Sequence, residues 1–126
     1  MEFTITHDPT DEIVTVAMKG EASLGSVSKM MKQLAETILK TNCTRILVDV
    51  LNLDHHLSLI ELVTISGMMQ STAAEYGIEL KSLRRAMVST NSGKMMEVYE
   101  VIAKYASENF RRFQSLEEAK NWLRER

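Results

Sequence analysis

Cysteine, proline and glycine are all scarce in this chain, and each scarcity excludes something. Cys43 stands alone among 126 residues, so no internal disulfide staples the fold. Pro9 is the single proline and glycine occurs 5 times, too little punctuation for a linker or a low-complexity segment. No apolar run approaches the ~20 residues that cross a bilayer. Charge of one sign is missing too. With 15 basic and 17 acidic side chains the net charge is −2, which excludes the basic footprint of a dedicated nucleic-acid binder. The halves differ mildly, with 5 basic and 9 acidic groups in residues 1–63 against 10 and 8 in 64–126. The basic doublets Arg84-Arg85 and Arg111-Arg112 read as flanking or solvent-facing charges that discourage edge pairing. Met1-Glu2-Phe3 leads straight into alternating β-type sequence, not into a basic stretch followed by an apolar one, and the expectation is a protein of the reducing cytoplasm.

What is present is periodicity. The length predicts one domain over 1–126, large enough to bury roughly two thirds of the surface its unfolded form exposes. Phe3 and Ile5, then Val14, Val16 and Met18, alternate with polar or small residues around the turn-forming Asp8-Pro9-Thr10-Asp11, which predicts an opening β-hairpin. Leu24, Val27, Met31, Leu34 and Ile38 fall at steps of three and four and predict a helix. Ile46, Leu47, Val48 and Val50 make a nearly continuous apolar strand, as expected where both faces are covered. Ser58 and Glu61 have capping-box spacing, starting a second helix that runs to about Tyr76 with Gly77 as its stop. Arg85 to Ser89 reads as a strand, Ser92 to about Glu108 as a third helix and Phe110 to Phe113 as a last strand. Ser115 and Glu118 repeat the box ahead of Ala119, Trp122 and Leu123. The order β-β-α-β-α-β-α-β-α predicts an α/β domain with a largely parallel sheet and one antiparallel member from the hairpin.

Three segments carry a resemblance. Val16 to Ser23, VAMKGEAS, looks like the strand-to-turn GEL(D) segment that enters the first helix of a STAS domain. Leu47 to Glu61, LVDVLNLDHHLSLIE, is similar to the strand and helix start that hold the regulatory site there. Arg85-Ala-Met-Val-Ser with Phe110-Arg-Arg-Phe-Gln-Ser-Leu-Glu-Glu-Ala-Lys-Asn-Trp-Leu resembles the closing part of an uncharacterised STAS-like branch. The chain thus resembles the STAS domain of bacterial anti-anti-sigma factors, the SpoIIAA-like family. The resemblance implies a mixed sheet of about five strands with about four helices, and a non-catalytic regulatory module. In signalling members a kinase partner phosphorylates a serine in an Asp-Ser-Ser/Thr-Gly turn at the start of the second helix. The counterpart here reads His55-His56-Leu57-Ser58, so Ser58 is the position to which that modification transfers.

Each candidate site has a plain structural reading beside the functional one. Ser58 is an N-cap, and phosphorylation there would place negative charge on a helix N-terminus that tolerates it. Asp54, His55 and His56 are turn residues just past a strand, and adjacent imidazoles lack the spacing of metal ligands such as His at i and i+4. A catalytic role would need His55 or His56 in one cleft with Glu61 or Asn91. Ser89 to Lys94 has the look of a phosphate loop, but Val88 occupies the place of its first glycine and Met95 that of its Ser/Thr. A weak anion site at Asn91, Ser92, Gly93 and Lys94, on free N–H groups at a helix start, is what remains.

Methionine is the compositional excess, with 9 residues and a doublet in each of the first three helices: Met30-Met31, Met68-Met69 and Met95-Met96. Neighbours on a helix point about 100° apart, so one of each pair is expected in the core and the other at its margin. The second helix is apolar nearly all round from Leu59 to Met69, and such a helix must be covered on both sides. The expected contact surface for a partner or ligand is therefore Asp54, His55, His56, Ser58, Glu61, Leu62, Ile65 and Met69. No residue pattern asks for a cofactor, a metal or an enzyme's nucleophile. The partner is a protein or a second copy forming a homodimer, and the alternative is a carrier or sensor of a small apolar or lipid-like ligand, with peripheral membrane contact open.

Overall fold

The computed structural model describes residues 1–54, 57–90 and 94–125. Among them five strands and four α-helices follow in the expected order: β1 (Glu2–Asp8), β2 (Ile13–Glu21), α1 (Leu24–Thr41), β3 (Arg45–Asp54), α2 (Leu59–Glu75), β4 (Arg84–Val88), α3 (Lys94–Ala106), β5 (Phe110–Phe113) and α4 (Leu116–Arg124). A short 3-10 turn, Leu80–Ser82, precedes β4. The hairpin turn closes through Asp8, whose Oδ1 accepts the N–H groups of Thr10 (2.9 Å) and Asp11 (3.4 Å). The start of α1 is a capping box that lacks the usual Glu or Gln. Ser23 Oγ accepts the Ser26 N–H at 3.2 Å, and Ser26 Oγ accepts the Ser23 N–H at 3.3 Å. At its other end Asn42 sits at φ 54°, the left-handed conformation that a short polar side chain tolerates.

Strand order in the sheet is β1-β2-β3-β4-β5, with β1 antiparallel to β2 and every later pair parallel. The three crossovers all step in one direction, so the right-handed rule puts α1, α2 and α3 on one face of the sheet. The other face is left to α4. Strand alternation obeys this division. Val16, Val50 and Met87 join α1–α3 in one core, while Ile13, Leu47, Ala86 and Val88 pack with Ala119 and Leu123 of α4 in another. Covered on both sides, β3 buries Ile46, Leu47 and Val50 as its continuity predicts.

Two packing expectations need correction. Met30 and Met31 are both buried, because α1 meets the sheet on one side and α2 on the adjacent one, leaving no margin for the second sulfur. The Arg84-Arg85 doublet is not a solvent-facing pair. Arg84 Nε and Nη2 donate to the Trp122 carbonyl at 3.1 and 2.8 Å, its guanidinium lies 4.0 Å from the Trp122 ring centroid, and Nη2 reaches Glu125 at 3.3 Å, so it ties down the end of α4. Arg85 turns the opposite way, into the core under α2 and α3, and is 6% exposed.

Candidate functional site

The corner between β3 and α2 builds up from Ser58. Its Oγ accepts the Glu61 N–H at 3.2 Å, while Glu61 Oε1 accepts from the Ser58 N–H at 3.1 Å and the Ser58 hydroxyl at 3.0 Å. Both are satisfied by the helix start alone. Asp54 ends β3 exposed. His55 and His56 lie outside the described residues, as do Asn91, Ser92 and Gly93 of the expected anion site; Lys94 opens α3.

Beyond the cap, α2 divides its apolar residues between two sides. Leu62 and Ile65 are buried, which corrects their placement on a partner surface: with ~100° per residue, 62, 65 and 69 form one inward stripe. The residues that do face out are Leu59 (51% exposed), Ile60 (79%) and Val63 (53%). Sequence reasoning missed them because a helix apolar all round has no pattern that says which side is inside. A second exposed apolar pair, Val101 and Tyr105, lies one turn apart on α3.

The inward stripe borders a cavity of about 400 Å³ between the sheet and helices α1–α3. It extends along the strands, from Ala22, Leu53 and Leu57 near the carboxyl ends of β2 and β3 to Ile38, Ile78 and Leu83 at the opposite end. Six of the nine methionines line it: Met18, Met30, Met31, Met69, Met87 and Met96. Its polar lining residues are Thr72, Arg85 and Tyr99.

Arg85 is the polar feature of this space. Its Nη2 donates to the carbonyls of Ala103 (3.0 Å) and Ser107 (3.2 Å); among the described residues its Nη1 meets the thioether of Met69 alone (3.2 Å) and its buried Nε meets no acceptor. The guanidinium lies 5.1 Å from the Phe110 ring centroid, against which Tyr99 packs edge-on at 6.2 Å. Burial pushes the arginine below its ordinary value and the Tyr99 phenol above its own, the latter opposed by the nearby positive charge.

On the hairpin side, ligand-type atoms of His7, Glu12 and Cys43 lie within 4.8 Å of one another. The Cys43 thiol donates to the Glu12 carbonyl at 3.0 Å and the Arg45 carbonyl at 3.3 Å, so it acts as a buried tie between the hairpin turn and the start of β3. Among the described residues no helix is long and apolar enough to cross a membrane.

No family model and no curated protein matches the chain. Solved structures do. An uncharacterised protein of the DUF3478 family with a SpoIIAA-like fold, from Shewanella loihica PV-4, superposes with a TM-score of 0.62 at 22% identity, over 97% of this chain and 92% of that one. An anti-sigma factor antagonist from Mycobacterium paratuberculosis gives 0.60 at 12% identity, over 98% and 96%. The fold is SpoIIAA-like. The Bacillus cell fate determinant SpoIIAA in its phosphorylated form gives 0.53 at 18% identity, over 97% and 99%. The SpoIIAA-like architecture accounts for the mixed five-stranded sheet and its four helices. At these identities the likeness is one of fold.

Proposed function

We propose that the protein is a non-catalytic regulatory module that docks a protein partner, or a second copy of itself, through the start of α2 and the turn before it. One observation carries the reading: Leu59, Ile60 and Val63 present exposed apolar surface on the first two turns of a helix whose other side is buried. The SpoIIAA-like fold supports it, since solved proteins of this architecture include an anti-sigma factor antagonist. Ser58 is the regulatory position in this reading. Its Oγ lies 3.0 Å from Glu61 Oε1, so a phosphoryl group added there would be favoured by the helix N-terminus but opposed by that carboxylate, which would have to swing away as the cap reorganises.

A photocrosslinking amino acid at position 60, with one at position 105 as control, tests the reading in the native cells. A single protein species, or the chain itself, captured at 60 and not at 105 is the expected result. No adduct at 60 under any growth condition rejects the docking face.

A further inference from the structure

We propose that the cavity under α2 is a binding site for an aliphatic monocarboxylate, with the hydrocarbon tail between the sheet and helices α1–α3 and the carboxylate on the Arg85 guanidinium. This site is separate from the docking face and does not rest on that reading.

Three observations converge on it. The space, about 400 Å³, falls within the ~300–1,000 Å³ typical of small-molecule sites, and close-packed interiors otherwise keep few voids larger than a water. Its walls are mostly aliphatic and thioether groups, with Tyr99 and Phe110 beside the arginine, and they run the length of the strands, a shape that takes an extended chain. Unbranched methionines adapt to tails of different length better than branched side chains do. Arg85, finally, is a buried cation without a carboxylate in ion-pair distance among the described residues. Two backbone carbonyls hold Nη2 in place. Nε and Nη1 are left with no acceptor and a thioether sulfur, respectively, and sulfur is a weak acceptor. A buried charge in this condition is costly until an anion meets it. One guanidinium balances one negative charge, which favours a carboxylate over a dianionic phosphate. The same donors have nothing to offer a cationic or purely hydrocarbon ligand.

The test is a titration of the delipidated full chain with dodecanoate and with dodecan-1-ol, below the concentrations at which either aggregates, followed by calorimetry. Dodecanoate is expected to bind one-to-one, at least tenfold more tightly than the alcohol. Arg85→Met, which keeps an apolar stem in the core, is expected to bring the acid down to the alcohol's affinity and leave the alcohol unchanged. Ala73→Leu, which narrows the cavity from α2, is expected to weaken both. Absence of saturable dodecanoate binding, equal affinity for acid and alcohol in the natural chain, or an acid preference that survives Arg85→Met overturns the proposal. Should Arg85→Met not fold, the acid-to-alcohol ratio and Ala73→Leu decide: dodecanoate affinity untouched by the filled cavity places the ligand elsewhere and refutes the site.

Discussion

The two faces of the sheet are packed by opposite means. One face carries a single nine-residue helix, α4, and beneath it Leu47, Ala86, Val88, Ala119 and Leu123 are sealed from solvent, with Phe113 and Trp122 at the margin. The other carries three helices of 13 to 18 residues and borders the cavity. Covering area is therefore not what makes a core tight. Under α4 three of the strand residues, Ile13, Ala86 and Val88, are small or β-branched and stiff, with Leu47 beside them, and among the described residues no methionine belongs to the cluster. Arg84 and Arg124 clamp the helix end to β4 and to the hairpin turn. Under α1–α3 six long, unbranched methionines are interleaved with valine, isoleucine and leucine around one arginine. Stiff, well-matched residues fill a space uniquely, whereas flexible ones leave room that can be rearranged.

The contrast can be broken by swapping what each face tolerates. Leu123→Ala, at the centre of the tight face, is expected to cost about 2–5 kcal/mol in denaturant unfolding; a loss well under this range would mean the α4 core relaxes around the gap and is no tighter than the other. Adding volume gives the next effect. Ala86→Leu under α4 is expected to destabilise by about 1–3 kcal/mol, while Ala73→Leu beside the cavity is neutral or stabilising in the delipidated protein. Thermal unfolding of the two variants side by side decides, and equal losses would erase the distinction. At the helix start, Ser58→Ala should cost about 1 kcal/mol through the lost cap, with circular dichroism melts as the readout and Ser23→Ala as its counterpart on α1. The smallest effect lies at the Arg124–Asp11 clamp. The hydrogen bond from Arg124 holds the Asp11 carboxyl below its ordinary value, so its contribution is present above the usual carboxylate range and disappears as pH falls through the lowered value. Denaturant titrations from pH 7 to pH 3 should show natural chain and Asp11→Asn converging at the acid end; a gap that widens there would contradict the assignment.

Local signals explain how much of this was legible beforehand. Alternation in β1 and β2, the serine–glutamate spacing at Ser58 and the turn residues around Pro9 each act within a few positions, and each element they predict is present. The Ser23–Ser26 box escaped notice because serine takes the place of the usual Glu or Gln. Strand order, by contrast, depends on crossovers between segments far apart in sequence. The outward side of α2 was hidden for a different reason. With Leu59, Ile60, Leu62, Val63 and Ile65 all apolar, only the position of the sheet decides that 62 and 65 turn in while 60 and 63 turn out. Arg85 was misread because arginine is rarely buried unpaired. The usable clue was its position in a strand covered on both faces, where even an arginine has no outside to reach. A cavity leaves no mark of its own in a sequence, since it is the volume that neighbouring side chains fail to fill.

A consequence follows from the seating of α2. A helix is a stiff rod, and this one borders the cavity along one side while its opposite side meets solvent. The stripe of Leu62, Ile65 and Met69 that borders the cavity and the outward Leu59, Ile60 and Val63 belong to that one helix. A molecule in the cavity and a partner on the outer side would therefore lean on opposite sides of a single rod, with one helix diameter between them, as two hands rest on the two sides of one door.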